Sequence, residues 1–244
     1  MYRCGHGTGT STRDGTDLTT AAVDPQKLAV ARAAIAELPE RGIIGLGTGS
    51  TAKLFIDEVG KLVAAGRQLV GVPTSEASRA QAIALGIPLL PDAGPWAIDV
   101  AVDGADEVSA ALDLIKGGGA AHTREKIINY SARRNVIVVD ASKLSPQLGT
   151  TWPVPVEVLE FAHGATVAHL RRHGAPTLRM AGAEPRRTDA GNWIVDLACG
   201  VIADPAALDR ALHAIPGVVE TGLFIGRADV VLVARASGVE RLVP

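Results

Sequence analysis

The chain has 244 residues, 47% of them hydrophobic and 20% charged, which is enough apolar material for a sizeable core and too much for wholesale disorder. Lys plus Arg number 24 against 26 Asp plus Glu, a formal net charge of −2, so there is no global field for nucleic acid and an anionic ligand must be held by local groups. No apolar run approaches the roughly 20 residues of a membrane span, and the two cysteines, Cys4 and Cys199, fit neither a disulfide framework nor a metal-binding pair.

Residues 1–22 are rich in Gly, Thr and Ser without periodicity and read as a flexible extension. They lack the apolar core of a secretory signal, so cytoplasmic residence is the default expectation. Asp24 and Pro25 then open an amphipathic helix with Leu28, Ala31, Ile35 and Leu38 at helical spacing. "RGIIGLGTGSTAKLFIDEVGKLV" gives a strand, a glycine turn and a helix opening near Ser50, and "RQLVGVPTSEASRAQAIALG" repeats the pattern. "IPLLP" and "IDVAVDGADE" are further strand candidates, "TREKIINYSARR" a helix and "NVIVVD" a buried strand. Strands alternating with helices predict a Rossmann-like, doubly wound parallel sheet covered on both faces.

From about residue 154 the order becomes β-α-β-β-α-β: "PVEVLEF", "GATVAHLRRHG", "PTLRM", "NWIVDLAC", "PAALDRALHAI" and "GVVETGLFI". That is the split arrangement of a ferredoxin-like α+β unit. "ADVVLVARA" is apolar throughout and is expected to return to the first sheet. The expected organisation is a catalytic domain of residues 23–150 and 227–244 with residues 151–226 inserted.

Three loops fall where a doubly wound sheet gathers its ligands, beyond the carboxyl ends of its strands. "GLGTGST" can offer tight turns and the free amides of a helix N-terminus to a phosphate, with hydroxyls from Ser50 and Thr51; equally, it can be a plain glycine turn with a helix cap. It is neither a P-loop nor GxGxxG. "VDGADEV" presents Asp103 and Asp106 at the same edge, as hydroxyl-binding, proton-passing or metal-binding carboxylates or as a simple Asx turn. "KGGGAAHTREK" carries Lys116, three glycines whose N–H groups can meet an anionic or hydroxylated ligand, and Glu125 in the first turn of a helix with Thr123 as its cap. The helix terminus and neighbouring Arg124 or Lys126 are expected to keep Glu125 ionised. Glu125 can then be a base, or only an acidic residue serving the helix dipole, although three glycines beside a lysine have no packing rationale in the sequence.

Other residues read as structural. His122 has no ligand partners at metal spacing. Cys199, Trp96, Trp152 and Trp193 suit packing, and Arg171, Arg172, Arg186 and Arg187 suit a solvated face.

Taken together, "GLGTGSTA", "VDGADE", "KGGGAAHTREK" and "DASK", in this order, closely resemble ribose-5-phosphate isomerase of the A type. "PVEV" and "IPGVVETGLF" extend the resemblance from about Asp24 to the C-terminus. It implies a Rossmann-like domain with an inserted α+β domain, and interconversion of ribose 5-phosphate and ribulose 5-phosphate in the pentose phosphate pathway, without metal or organic cofactor. It also implies a homodimer or higher homo-oligomer whose only other partner is a small sugar phosphate, with no nucleic acid and no membrane.

By the same resemblance Glu125 is the general base. Lys116 steadies an enediolate oxyanion together with the glycine amides, and Asp103 and Asp106 orient hydroxyls and assist ring opening. Substrate contacts fall on Lys27, Thr48, Gly49, Ser50, Thr51, Gly104, Ala105, Gly117, Gly118, Gly119 and Lys143. His122 departs from the family by standing where an apolar residue is expected. Rival readings are a sugar-phosphate sensor, an enzyme acting on an amino-sugar phosphate, and a metal-dependent aldose isomerase, for which no ligand set appears at suitable spacing.

Overall fold

The computed structural model describes residues 24–244; the expected extension 1–22 and Cys4 lie outside the described residues. The first half alternates as expected: α1 (Pro25–Ile35), β1 (Arg41–Leu46), α2 (Ser50–Ala64), β2 (Gln68–Pro73), α3 (Glu76–Ala84) and β3 (Val100–Asp103). Two-residue strands β4 (Glu107–Val108) and β5 (Leu114–Ile115) follow, then α4 (His122–Ser131), β6 (Asn135–Asp140) and a 3₁₀ turn at Ala141–Lys143. Asp24 caps α1 by accepting from the amides of Gln26 and Lys27, which leaves Pro25 at the position where a missing N–H costs nothing.

The later elements are β7 (Val154–Val158), α5 (His163–Leu170), β8 (Ala175–Leu178), β9 (Met180–Ala181), β10 (Glu184–Pro185) and β11 (Trp193–Ala198). They continue with α6 (Pro205–His213), β12 (Val218–Thr221), β13 (Leu223–Phe224), β14 (Val230–Arg235) and β15 (Gly238–Leu242).

The main sheet runs β15-β14-β6-β3-β1-β2, parallel except for the antiparallel edge strand β15, whose strand character the sequence reading did not anticipate. β14 pairs with β6 in parallel, so the apolar segment near the C-terminus does return to this sheet. Alternate residues of β6 serve two cores. Val136 and Val138 face the cluster built with α1 and α2, while Ile137 and Val139 join Phe224, Val231 and Val233 on the opposite face. Burial on both faces explains the unbroken apolar run of that strand.

"IPLLP" forms no strand and makes only an isolated bridge from Leu89 to Gly71. The four-stranded sheet runs β12-β7-β11-β8, antiparallel throughout, the order a split β-α-β unit requires. A third sheet, β13-β5-β4, had no counterpart in the sequence reading. It joins the end of the α+β segment to the strand pair between β3 and α4.

Candidate active site

The central strands β6, β3 and β1 are neighbours, and the chain reverses direction around β1, with β2 on one side and β3 on the other. Ligands in such sheets lie outside the carboxyl ends of the strands at this switch point. A cavity of about 240 Å³ opens there, smaller than the ~300–1,000 Å³ usual for larger organic ligands. Lys27, Thr48, Gly49, Ser50, Thr51, Gly104, Ala105, Asp106, Lys116, Gly117, Gly118, Gly119, Glu125 and Lys143 all line it. Of the catalytic and substrate-contact residues that the resemblance implies, only Asp103 is not on its wall.

One side of the cavity is built for an anion. Gly49 enters α2 with φ +110° and no side-chain cap, so the first amides of the helix remain available. Lys27 Nζ donates to Ser50 Oγ at 3.0 Å. Lys143 Nζ lies 5.1 Å from the centre of the Trp152 ring, a contact that orients the cation and gives Trp152 more than the packing role expected of it. Asp140 and Ser142, which sequence reasoning passed over although they stand in "DASK", also line the wall. Burial resists ionisation of Asp140, but donation from the Ser142 hydroxyl and amide and the charges of Lys143 and Lys27 hold its carboxyl below the usual range. Thr48 is committed elsewhere: its hydroxyl meets those of Thr74 and Ser75 at 2.7 and 2.8 Å.

The other side is a buried charge cluster. Lys116 Nζ donates to Gly104 O at 2.5 Å and lies 3.1 Å from both Asp103 Oδ2 and Glu125 Oε2. Its burial works against the charge, yet Asp103, then Glu125 and Asp106, outweigh that and raise its pKa. Asp103 Oδ1 accepts from the amides of Thr48 and Gly104 at 2.9 and 2.8 Å, so this carboxylate ties two loops and the lysine together from behind the cavity wall. Asp106 is the carboxylate that faces the cavity, and it accepts from the Gly118 amide at 2.7 Å.

Glu125 departs from expectation in two ways. Its cationic neighbour is Lys116, because Arg124 pairs with Glu76 at 2.6 Å and Lys126 with Glu220 at 2.6 Å. Its pKa is raised, to about 8: burial dominates, Lys116 opposes it, and Asp103 and Asp106 add to it. One ammonium, 3.1 Å from both Asp103 and Glu125, does not offset the burial of Glu125, whose carboxyl is therefore held above its ordinary range. Glu125 Oε2, within ion-pair range of Lys116, has no aligned hydrogen-bond donor among the described residues. Thr123 is not the cap of α4 either. The helix begins at His122 after Ala121 without a side-chain cap, and the Thr123 hydroxyl donates to Glu157 at 2.5 Å.

The glycines do have packing reasons. Gly117 has φ +111°, and a Cβ there would sit 2.8 Å from His122 Nδ1; one at Gly118 would sit 2.6 Å from Asp106 Oδ1. His122 is fully buried, and burial, then the Lys126 charge, push its pKa down to about 3. It therefore fills, as a neutral ring, the place expected for an apolar residue.

Cys199 is partly buried against the core of the four-stranded sheet, with its thiol pushed up to about 11 by burial. Arg171, Arg172, Arg186 and Arg187 are exposed, as expected. Among the described residues, the one trio of His, Cys, Asp or Glu ligand atoms close enough to share a metal is Asp209, His213 and Glu220. None of the three lines the cavity, and Lys126 Nζ already occupies Glu220 Oε1. No described helix is long and apolar enough to cross a membrane.

Comparison with known proteins agrees with this geometry. The sequence profile of ribose 5-phosphate isomerase A (phosphoriboisomerase A) matches residues 70–238. The chain belongs to this family. It is 47% identical over 217 residues to ribose-5-phosphate isomerase A of Thermosynechococcus vestitus, covering 87% of this chain and 92% of that one. Among solved structures, ribose 5-phosphate isomerase A of Methanocaldococcus jannaschii superposes with a TM-score of 0.85 at 40% identity, covering 90% of this chain and 98% of that chain. A D-ribose-5-phosphate isomerase in complex with phospho-erythronic acid superposes with a TM-score of 0.88 at 41% identity, covering 92% of this chain and all of that chain.

Proposed function

We propose that the protein interconverts D-ribose 5-phosphate and D-ribulose 5-phosphate through an enediolate, in the non-oxidative branch of the pentose phosphate pathway. The observation that carries the reading is Glu125, a buried carboxyl on the cavity wall with a pKa near 8 and an ammonium 3.1 Å away. A general base works best with a pKa near the working pH.

In the proposed course the phosphate rests on the α2 amides, Lys27 and Lys143. Asp106 assists ring opening by moving the ring hydroxyl proton, and Asp103 fixes Lys116 and the two loops, a more indirect part than resemblance alone suggested. Glu125 takes the proton from C2, and the C–H electrons form the C1=C2 bond as negative charge develops on O1. A proton then passes from O2 to O1, and Glu125 returns its proton to C1. Lys116 and the Gly119 amide oppose the developing charge, while the Gly118 amide holds Asp106 in place. Such preorganised donors are each worth ~3–4 kcal/mol in other enzymes.

Supporting the domain division at residues 23–150 with 227–244, and 151–226, is the separation of the two larger sheets. Membership of the family is the ground for proposing a cytoplasmic homodimer or higher homo-oligomer, and a sedimentation mass of one chain would remove that part.

The deciding experiment is a coupled assay of ribulose 5-phosphate formation with a chelator present. Wild type is expected to turn over. Glu125→Gln is expected to bind substrate but lose roughly two to four orders of magnitude in kcat. A folded but inactive wild type would point instead to a sugar-phosphate binder or another phosphosugar.

A further inference from the structure

The site contains a residue that belongs to neither the sequence motifs nor the cavity wall. Arg179 follows β8 in the four-stranded sheet, and its backbone amide donates to Ile194 O at 2.8 Å. Its guanidinium is gripped in fork geometry by Asp196 on β11: Nε donates to Oδ2 at 2.8 Å and Nη2 to Oδ1. The remaining nitrogen, Nη1, crosses to the other part of the molecule and donates to Gly117 O at 2.7 Å and Gly118 O at 3.1 Å. The ion pair is largely buried, with side-chain exposures of 17% and 23%.

In a planar trans peptide the carbonyl and the following N–H point in opposite directions. Fixing the carbonyls of Gly117 and Gly118 on Arg179 therefore turns the N–H groups of Gly118 and Gly119 away from it. Both glycines line the cavity. The Gly118 amide is found on Asp106 at 2.7 Å, and no described residue accepts from the Gly119 amide. Successive glycines have the widest conformational freedom of any sequence. Unrestrained, this turn can flip a peptide and present a carbonyl oxygen, instead of an N–H, to a developing oxyanion.

We infer that Arg179, locked by Asp196, is a positioning residue: it pins the glycine turn so that the Gly119 amide meets the enediolate and the Gly118 amide holds Asp106, and through it the four-stranded sheet takes part in catalysis. The inference rests on the isomerase reading for its kinetic consequence, while the pinning of the turn can be read in the free protein.

The test compares Arg179→Met, Arg179→Lys and Asp196→Asn with wild type and with Arg172→Met, an exposed arginine outside the site. Hydrogen exchange of residues 117–120 in the free protein is measured first, then kcat, KM and inhibition by phospho-erythronate, whose carboxylate resembles the planar, charged enediolate. Arg179→Met is expected to exchange faster in that turn and not elsewhere. It should lose roughly 10- to 100-fold in kcat, as for a small misplacement of catalytic groups, with KM little changed. Phospho-erythronate affinity is expected to fall by the same factor as kcat. Arg179→Lys, which keeps the charge on a compact ammonium without the planar fork, should restore part of the loss, and Arg172→Met should match wild type. Should Arg179→Met fail to fold, the Lys and Asn variants decide on the same readouts.

Unchanged exchange in the turn overturns the inference, as does a loss seen in KM alone. An inactive wild type would instead overturn the isomerase reading, leaving the exchange result to decide the pinning.

Discussion

At the scale of single residues the site turns on one shortage: a lone ammonium, Lys116, serves Asp103, Glu125 and Asp106. Because the folded pKa of Glu125 lies near 8 and its ordinary value is 4.5, the basic form fills as pH rises through about 8. The acidic limb of kcat/KM should therefore lie well above pH 4.5, and a limb near 4.5 would contradict it. The substrate phosphate titrates near pH ~6, so its contribution should be separated by measuring binding to Glu125→Gln.

The same shift has a consequence for stability. A raised carboxyl pKa means the fold prefers the protonated form, so ionisation costs stability progressively as pH rises from about 4.5 to about 8. Glu125→Gln should thus unfold at a higher temperature than wild type at pH 8 to 9, with the difference fading as pH falls toward 4.5. Lys143→Ala acts on the anion side. With charged hydrogen bonds worth ~1.5–3 kcal/mol, KM should rise roughly 10- to 100-fold while kcat changes little, and an unchanged KM would remove Lys143 from phosphate binding.

Most wall residues were legible because their loops sit at strand ends and their types suit the chemistry. Arg179 and Asp196 were not, since the Arg179 contact with Gly117 spans 62 residues of sequence. The neighbours of Glu125 were misjudged because adjacency in sequence on a helix says little about adjacency in space.

Among the elements, the alternation of strands and helices and the β-α-β-β-α-β segment followed from apolar periodicity and turn residues. What escaped were β15, a mostly exposed edge strand without a buried apolar face, and pieces too short to carry a period. β4, β5 and β13 have two residues each and exist because each pairs with another. "IPLLP" has strand composition, but beyond one bridge it finds no ladder to join.

Glu107 on β4 shows how such short pieces are fixed. It is fully buried, and its carboxylate accepts from the Ser145 hydroxyl and from the amides of Gly149, Thr150 and Thr151 at 2.6 to 3.1 Å. Those amides belong to the connection that leads from the main sheet into β7. Glu107→Ala would leave the buried Ser145 hydroxyl and three part-buried amides without their acceptor, at a cost of about 1–3 kcal/mol. Glu107→Gln keeps one acceptor oxygen and should lose less. Denaturant unfolding measures both, and a loss under ~0.5 kcal/mol for the alanine variant would show that water or a shifted loop takes over the donors.

Across the whole molecule, the two larger sheets meet at more than a hinge. β13 pairs with β5, Glu157 of β7 accepts from Thr123 of α4, Lys126 reaches Glu220, and Arg179 holds the glycine turn. Several of these ties involve buried charged groups, which are costly to leave unpaired, so the α+β segment should not open independently of the main sheet. The tryptophans allow a direct test. Trp152 and Trp193 pack against the core of the four-stranded sheet, whereas Trp96 packs against a cluster that includes Val72, Ile98 and Ile128. In a Trp96→Phe variant, intrinsic fluorescence reports the four-stranded sheet, while far-UV circular dichroism reports the chain as a whole. Coincident midpoints are expected for one cooperative unit. Fluorescence that changed first would mean that the α+β segment opens by itself, and the glycine turn would lose its anchor before the catalytic fold is lost.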